Sequence, residues 1–219
     1  MKNRLLIGLI LFLLLSTYSL KINDNLNLKL NIEKIKIENN SIISNDEILE
    51  ELSFLYNENL FLLKNDEIKR ALNNIGFIES FKIKKIYPNK LKVQVFERKP
   101  IFILHEKKNK YYYTDKNELL DYVKIEQFKT LPIVFSNKKN FDIFYQDLKK
   151  IDFPFNLIET FYFFESKRWD LKTKTGQLIK LPVTNYIQSL ENFLDIKDKD
   201  NFAKYKIFDY RISDQLILK

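Results

Sequence analysis

The chain has no cysteine, one histidine, three glycines and one tryptophan in 219 residues. Without cysteine there is neither a disulfide nor a thiolate metal site, and either an oxidising or a reducing compartment is compatible. His105 stands alone, so a zinc cluster or a paired-histidine site is out of reach. Gly8 falls in an apolar leader, which leaves Gly76 and Gly176 for everything else. No phosphate loop, dinucleotide fingerprint or nucleophile elbow exists on so few glycines. Composition leaves a serine–lysine pair open, and no motif marks one. A lone histidine at a strand end reads as surface polar. These shortages predict a protein without catalysis, cofactor, metal or small-molecule substrate.

What is abundant points to a packed chain. Hydrophobic residues make up 45% and aromatics 15%, ample for a core. Lysine and arginine number 37 against 29 acids, a net charge of +8. The two signs are interleaved, as in Glu33-Lys34-Ile35-Lys36 and Asp195-Ile196-Lys197-Asp198. Such patterning reads as a solvated surface and not as a nucleic-acid face.

Leu5 to Leu20 is an uncharged, almost wholly apolar run, with Lys2 and Arg4 ahead of it and Lys21 behind. As a helix it spans about 24 Å, slightly short of a ~30 Å hydrocarbon core. Snorkelling by Lys21 and thinning of the bilayer close that gap. The leading positive charges place the N-terminus in the cytoplasm and the rest outside it. A cleaved signal peptide fits equally, because Thr17-Tyr18-Ser19 is a small-x-small site. Lys21 to Asn31 reads as a polar linker.

Ile32 to Ile37 is expected to form a strand. Ser44-Asn45-Asp46-Glu47 is a capping box opening a helix that carries Ile48, Leu49, Leu52 and Leu55 inward. A second helix opens at Asn65-Asp66-Glu67 with Ile68, Ala71, Leu72 and Ile75 at helical spacing. Gly76 stands where a left-handed residue would end it. Asp46-Glu47 and Asp66-Glu67 fall in first helical turns, where the macrodipole favours negative charge, so they read as structural and not as acid–base pairs. A hairpin follows. Phe77, Ile83 and Ile86 populate one arm, and Leu91, Val93 and Val95 alternate with Lys92, Gln94 and Phe96 in the other. Tyr87-Pro88-Asn89-Lys90 supplies the turn, and Pro100 closes the second arm.

Beyond Pro100, strands are expected at Ile101–Leu104, Lys110–Tyr113, Glu118–Val123, Leu131–Phe135 and Leu157–Phe164. Phe141, Phe144, Tyr145, Leu148 and Ile151 mark an amphipathic helix. Arg168–Thr173 and Gln177–Leu181 make a hairpin around Thr175-Gly176, with Trp169 a core or sheet-face residue. A helix over Thr184–Ile196 carries Ile187, Leu190 and Leu194 inward. Tyr205–Arg211 and Gln215–Leu218 are two final strands about Ser213-Asp214.

The β-α-α-β-β order, with the Y-P-N-x-L turn and the E-R-x-P exit (Tyr87, Pro88, Leu91, Glu97, Arg98, Pro100), resembles a POTRA domain. Such domains bind other polypeptides, often by adding a strand to a sheet edge. The chain departs from that pattern at Glu38-Asn39-Asn40, where a glycine is usual, and at Ile75-Gly76-Phe77, where Leu-Pro is frequent. Asparagine tolerates the left-handed region, so the fold need not change. The later order of Asp115, Leu131-Pro132, Trp169-Asp170-Leu171, Gly176, Leu181 and Asp209-Tyr210-Arg211 is similar to the FtsQ/DivIB cell-division family. Asn117 and Ser136 replace glycines common there, and the N-terminal tail is short.

The resemblance implies an α+β chain with an N-terminal membrane helix, a POTRA-like domain and a mixed β-sheet domain with flanking helices. Residues 1–4 would be a cytoplasmic tail, 5–20 a retained anchor, 21–31 a linker, 32–100 the POTRA-like domain and 101–219 the β domain. It implies a non-catalytic, single-pass scaffold of the inner membrane, concentrated at the septum and binding FtsB- and FtsL-like proteins by strand addition. Carried over, the partner-binding stretch is Asp209, Tyr210, Arg211, Ile212, Ser213, Asp214, Leu216 and Leu218. An apolar last strand with nothing left to cover its edge suits that role, since free edges are normally blunted by charge; the alternative is that this edge is internal to the sheet. Two rival functions remain. One is a POTRA-containing factor in envelope protein assembly or secretion, for which the residues after Pro100 are too few to form a large barrel. The other is an exported enzyme or adhesin released by cleavage after Ser19.

Overall fold

The computed structural model describes residues 7–13, 30–199, 201–202, 204–212 and 215–219. Residues 7–13 are helical, and among the described residues no helix is long and apolar enough to cross a membrane. The rest of the expected anchor, most of the linker, and Ser213 and Asp214 lie outside the described residues.

The first unit is β1 (Lys34–Glu38), α1 (Asn45–Glu51), a 3-10 turn (Ser53–Leu55), α2 (Asn65–Asn73), β2 (Ile78–Ile86) and β3 (Lys90–Glu97). Its sheet runs β1-β3-β2, with β1 parallel and β2 antiparallel to the middle strand. Alternation on β3 puts Leu91, Val93 and Val95 in one buried cluster with Ile48, Leu52, Ile68 and Leu72. Ser44 caps α1 as its sequence requires, its hydroxyl accepting the Glu47 N–H at 3.1 Å. Asn39 is left-handed at φ 70°, the conformation that lets it replace glycine. Gly76 is not left-handed, contrary to expectation. The chain leaves α2 by consecutive tight turns, Asn74 N–H to Ala71 O and Ile75 N–H to Leu72 O, each 3.2 Å. Those bonds satisfy the last carbonyls without a positive φ.

The second unit is a nine-stranded mixed sheet in the order β12-β11-β10-β9-β8-β7-β4-β5-β6. Its strands are β4 (Pro100–Glu106), β5 (Asn109–Thr114), β6 (Leu119–Asp121), β7 (Ile133–Phe135), β8 (Ile158–Phe163), β9 (Trp169–Thr173), β10 (Leu178–Lys180), β11 (Ile207–Asp209) and β12 (Ile217–Leu218). Helices α3 (Lys138–Lys150) and α4 (Tyr186–Ile196) connect them. Pro100 opens β4 in addition to ending the previous run. The first residue of a strand is where a missing N–H is tolerated, and a register shift follows it before Phe102.

Aromatics dominate this core. Phe144 of α3 stacks on Trp169 of β9 with centroids 4.3 Å apart, and Phe102 meets Phe141, Tyr145 and Phe161 edge-on. The inward face of α4 is Leu190, Phe193 and Ile196, while Ile187 and Leu194 are half-buried. The helix is turned from its expected face because Phe193 lies edge-on to Phe208 of β11, 5.0 Å away. At the final hairpin the strands are shorter than expected and only their ends pair, Phe208 with Leu218 and Asp209 with Ile217.

The two sheets are joined at the exit of β3. Arg98 donates to the carbonyls of Gly76 and Ile78 and to the Glu118 carboxylate. Phe77 packs edge-on against Tyr112, which shares a small cluster with Ile103 and Leu120 on the sheet face opposite the helices. Lys116 pairs with Glu79 across the same junction.

Candidate partner-binding edge

Strand order decides which backbone is free. β12 lies at the end of the nine-stranded sheet, paired only with β11. Lys219 exchanges both hydrogen bonds with Ile207, at 2.9 and 3.1 Å. In an antiparallel pair these exchanges recur at every second residue. Leu218, between Ile217 and Lys219, therefore directs its own N–H and C=O away from β11, toward the open rim.

The side chains around that rim are supported from below. Leu216 and Leu218 are half-buried against the main core, whereas Ile212 is 51% exposed. Between this tail and α4 runs a groove of about 280 Å³, lined by Gln188, Asn192, Tyr210, Ile212, Gln215 and Leu216 among others. Tyr210 is buried, its hydroxyl donating to Asn192 at 3.0 Å, and burial raises its pKa. Tyr186 in turn donates to Asp147 at 2.5 Å, tying α4 to α3. The groove wall is thus held by both sheet and helix.

Asp209 is almost fully buried and takes both ends of the Arg211 guanidinium, Nε to Oδ1 at 2.8 Å and Nη2 to Oδ2 at 2.7 Å. The bidentate fork holds its carboxyl below the usual carboxylate range. Register puts Asp170, Lys180 and Asp209 side by side on three neighbouring strands. Burial raises the pKa of Asp170, and the Arg168 contact at 3.3 Å opposes that rise. The Asp-x-Arg stretch of the sequence therefore fixes the base of the tail. Of the residues expected to bind a partner, Asp209 and Tyr210 face inward, Arg211 and Ile212 are exposed, and Leu216 and Leu218 flank the rim. Gln215 falls inside the expected stretch, whereas Gln188 and Asn192 of α4 were not singled out. Polar residues on the outer face of a helix carry no signal until the helix is docked.

The hairpin motif residues do different work. The Glu97 carboxylate accepts the backbone N–H groups of Ser41, Ile42 and Ile43 and the Ser41 hydroxyl, all at 2.7–3.0 Å. It pins the loop between β1 and α1, as Arg98 pins the junction. Leu91 is core, and Tyr87 and Pro88 form the turn.

A wider concavity of about 1300 Å³ lies at the C-terminal ends of β4, β7 and β8, beside His105, Phe135, Lys138 and Phe164. His105 is not a free surface group, since its ring packs 4.8 Å from that of Phe135. Burial and nearby Lys110 lower its pKa. Among the described residues no group of three or more His, Cys, Asp or Glu side chains is placed to hold a metal ion.

The chain is similar to known proteins over most of its length. A family model described as "POTRA domain, FtsQ-type" matches residues 30–98. "Cell division protein FtsQ" of Rickettsia bellii is 28% identical over 185 residues, 82% of this chain and 68% of that protein. "Cell division protein FtsQ" of Rhizobium meliloti is 20% identical over 188 residues, 84% of this chain and 61% of that protein. "Cell division protein DivIB" of Clostridium acetobutylicum is 32% identical over 90 residues, 41% of this chain and 36% of that protein. With the three-stranded unit, the nine-stranded sheet and these matches in one order along one sequence, the chain is similar to the FtsQ/DivIB cell-division proteins over most of its length, and residues 30–98 match their type of POTRA domain.

Proposed function

We propose that this protein is a non-catalytic, single-pass scaffold of the bacterial division machinery. Residues 5–20 anchor it in the inner membrane, and both sheet units stand outside the cytoplasm. It binds FtsB- and FtsL-like single-span partners by accepting a strand of one of them along β12. The observation that carries this reading is the open rim of β12, where Leu218 offers a backbone donor and acceptor at the end of the sheet, in a tail that also carries exposed Ile212. Main-chain bonds supply affinity in such an addition, and the flanking groove supplies selectivity through side-chain pockets. Asp209, Tyr210 and Arg211 hold the shape of the rim, Ile212, Leu216 and Leu218 meet the incoming strand, and Ser213 and Asp214 belong to the same stretch.

The test is a pull-down from crosslinked cells with full-length protein and its Ile212→Glu variant. Recovery of FtsB- and FtsL-like proteins with the parent, and their loss with a variant of unchanged melting temperature, is the expected result. Undiminished recovery with Ile212→Glu excludes this edge. Uniform distribution around the envelope, with no division partner recovered, excludes the role.

A further inference from the structure

The segment that arrives from the leader enters the first unit at one end of its sheet. Leu30 accepts a hydrogen bond from Leu60 at 2.7 Å, Ile32 exchanges bonds with Asn57 and Glu58, and Glu33 and Lys34 bond to Asn89. The 57–63 loop and the tip of the β2–β3 hairpin therefore flank the arriving chain. Lys85 locks loop to hairpin, its ammonium donating to the carbonyls of Phe61 and Leu63 at 3.3 and 3.1 Å. The second unit is attached at the opposite end, where β3 ends at Glu97 and Arg98 makes its bridge. Nothing in the described chain covers the arrival end.

That end is apolar where a solvated loop should be polar. Phe61 is 67% exposed, Leu62 71%, Tyr87 54%, Tyr56 39% and Ile86 38%. Lys85 lies against the loop, and Lys34, Lys64 and Lys90 stand in the neighbouring stretches, together with the acids Glu33, Glu58, Asp66 and Glu67. Aromatic and aliphatic side chains fringed by lysine are the composition of a surface that lies in a lipid headgroup region. Tethering supplies the second argument. Residues 21–29 separate the uncharged Leu5–Leu20 run from Leu30, and fully extended they reach at most about 32 Å. A patch at the arrival end is thus held near any bilayer that takes the leader.

We propose that Tyr56, Phe61, Leu62, Ile86 and Tyr87 form a membrane-contacting patch that seats the first unit on an anionic lipid surface. The inference rests on the anchored reading above and is independent of the strand-addition edge. Contact at two points, leader and patch, fixes the tilt of the exported part, which a linker alone leaves free.

The absence of cysteine makes the test direct, because any introduced thiol is the single labelling site. Full-length Leu62→Cys and Lys174→Cys proteins carry an NBD label and are placed in nanodiscs of phosphatidylethanolamine and phosphatidylglycerol containing doxyl-labelled lipid. The label at position 62 is expected to lose emission about twofold or more to the quencher, and the label at 174 to be unaffected. Replacing Phe61 and Tyr87 together by serine should return position 62 to the behaviour of 174. A chain that is incorporated in discs but unquenched at 62 overturns the patch and leaves the anchor standing. A chain that does not co-migrate with discs overturns both. Shielding of position 62 in lipid-free detergent only when an FtsB- or FtsL-like partner is added identifies a protein-docking site and rejects the lipid.

Discussion

Glu97 shows how much one carboxylate can organise. It gathers three successive backbone N–H groups and a hydroxyl from a loop more than fifty positions earlier in the chain. Charge-assisted bonds of this kind contribute roughly 1.5–3 kcal/mol each before losses, and their loss leaves donors unpaired. Glu97→Gln retains the shape and one acceptor oxygen, so we expect a loss of about 2 kcal/mol in chemical denaturation, with Glu97→Ala worse. Asp209 makes a different prediction, through pH. Arg211 holds its folded pKa below the unfolded value near 4. The stabilisation is then complete above pH 4 and fades as pH falls through the folded value. Asp209→Asn should lower stability by about 1–2 kcal/mol at pH 7, and the deficit should shrink as pH falls below 4, as read from urea midpoints across that range. Asn39 and Asn117 show the limit of a glycine count: both adopt positive φ, at 70° and 62°, so turns can be made in a chain with few glycines.

Among the elements, β12 is the one whose two sides differ most. Ile217 spends its backbone on Asp209, whereas Leu218 keeps its own for the rim. Proline at each position separates these duties, since it removes one N–H. Leu218→Pro is expected to stay folded and lose partner binding at least tenfold more than Leu218→Ala, by titration with an FtsB-like peptide, since only the proline removes the rim donor (a difference of about 1.4 kcal/mol). Ile217→Pro should lower the melting temperature as well, because it breaks an internal ladder bond. Most of this element inventory was legible beforehand. Alternation exposed β3, and the spacing of Phe141, Phe144, Tyr145 and Leu148 exposed α3. The capping serine marked α1. What the sequence hid has physical causes. Gly76 was misread because a helix can end on tight turns as well as on a left-handed residue. The face of α4 was misread because aliphatic spacing there competes with Phe193, and the partner Phe208 settles the rotation. The groove beside α4 depends on docking and leaves no local pattern at all. The apolar patch on the first unit was equally hidden, since its members come from a loop and a hairpin tip far apart in sequence.

At the scale of the molecule, the junction decides whether the two sheets move as one. Arg98 serves both sides of it, taking Gly76 and Ile78 carbonyls on one and Glu118 on the other. Phe77 adds an apolar contact with Tyr112. Arg98→Met keeps the stem and removes the bonds. We expect it to split or broaden the calorimetric unfolding of the full chain into two transitions, where the parent shows one, while each unit keeps its own core. A single unchanged transition would mean that the Phe77–Tyr112 contact is enough.

The head-and-foot placement of the two attachment points makes the small sheet a stilt. Its middle strand, Lys90–Glu97, stands roughly 25 Å tall. In the proposed arrangement, with the foot on the lipid and the strand upright, the junction at Arg98 that carries the second unit stands about that height above the bilayer. An α-helical partner rising from the same membrane gains 1.5 Å per residue, so it needs about seventeen residues before its strand-forming segment draws level. Shortening such a partner by two helical turns should therefore weaken docking even with every contact residue intact.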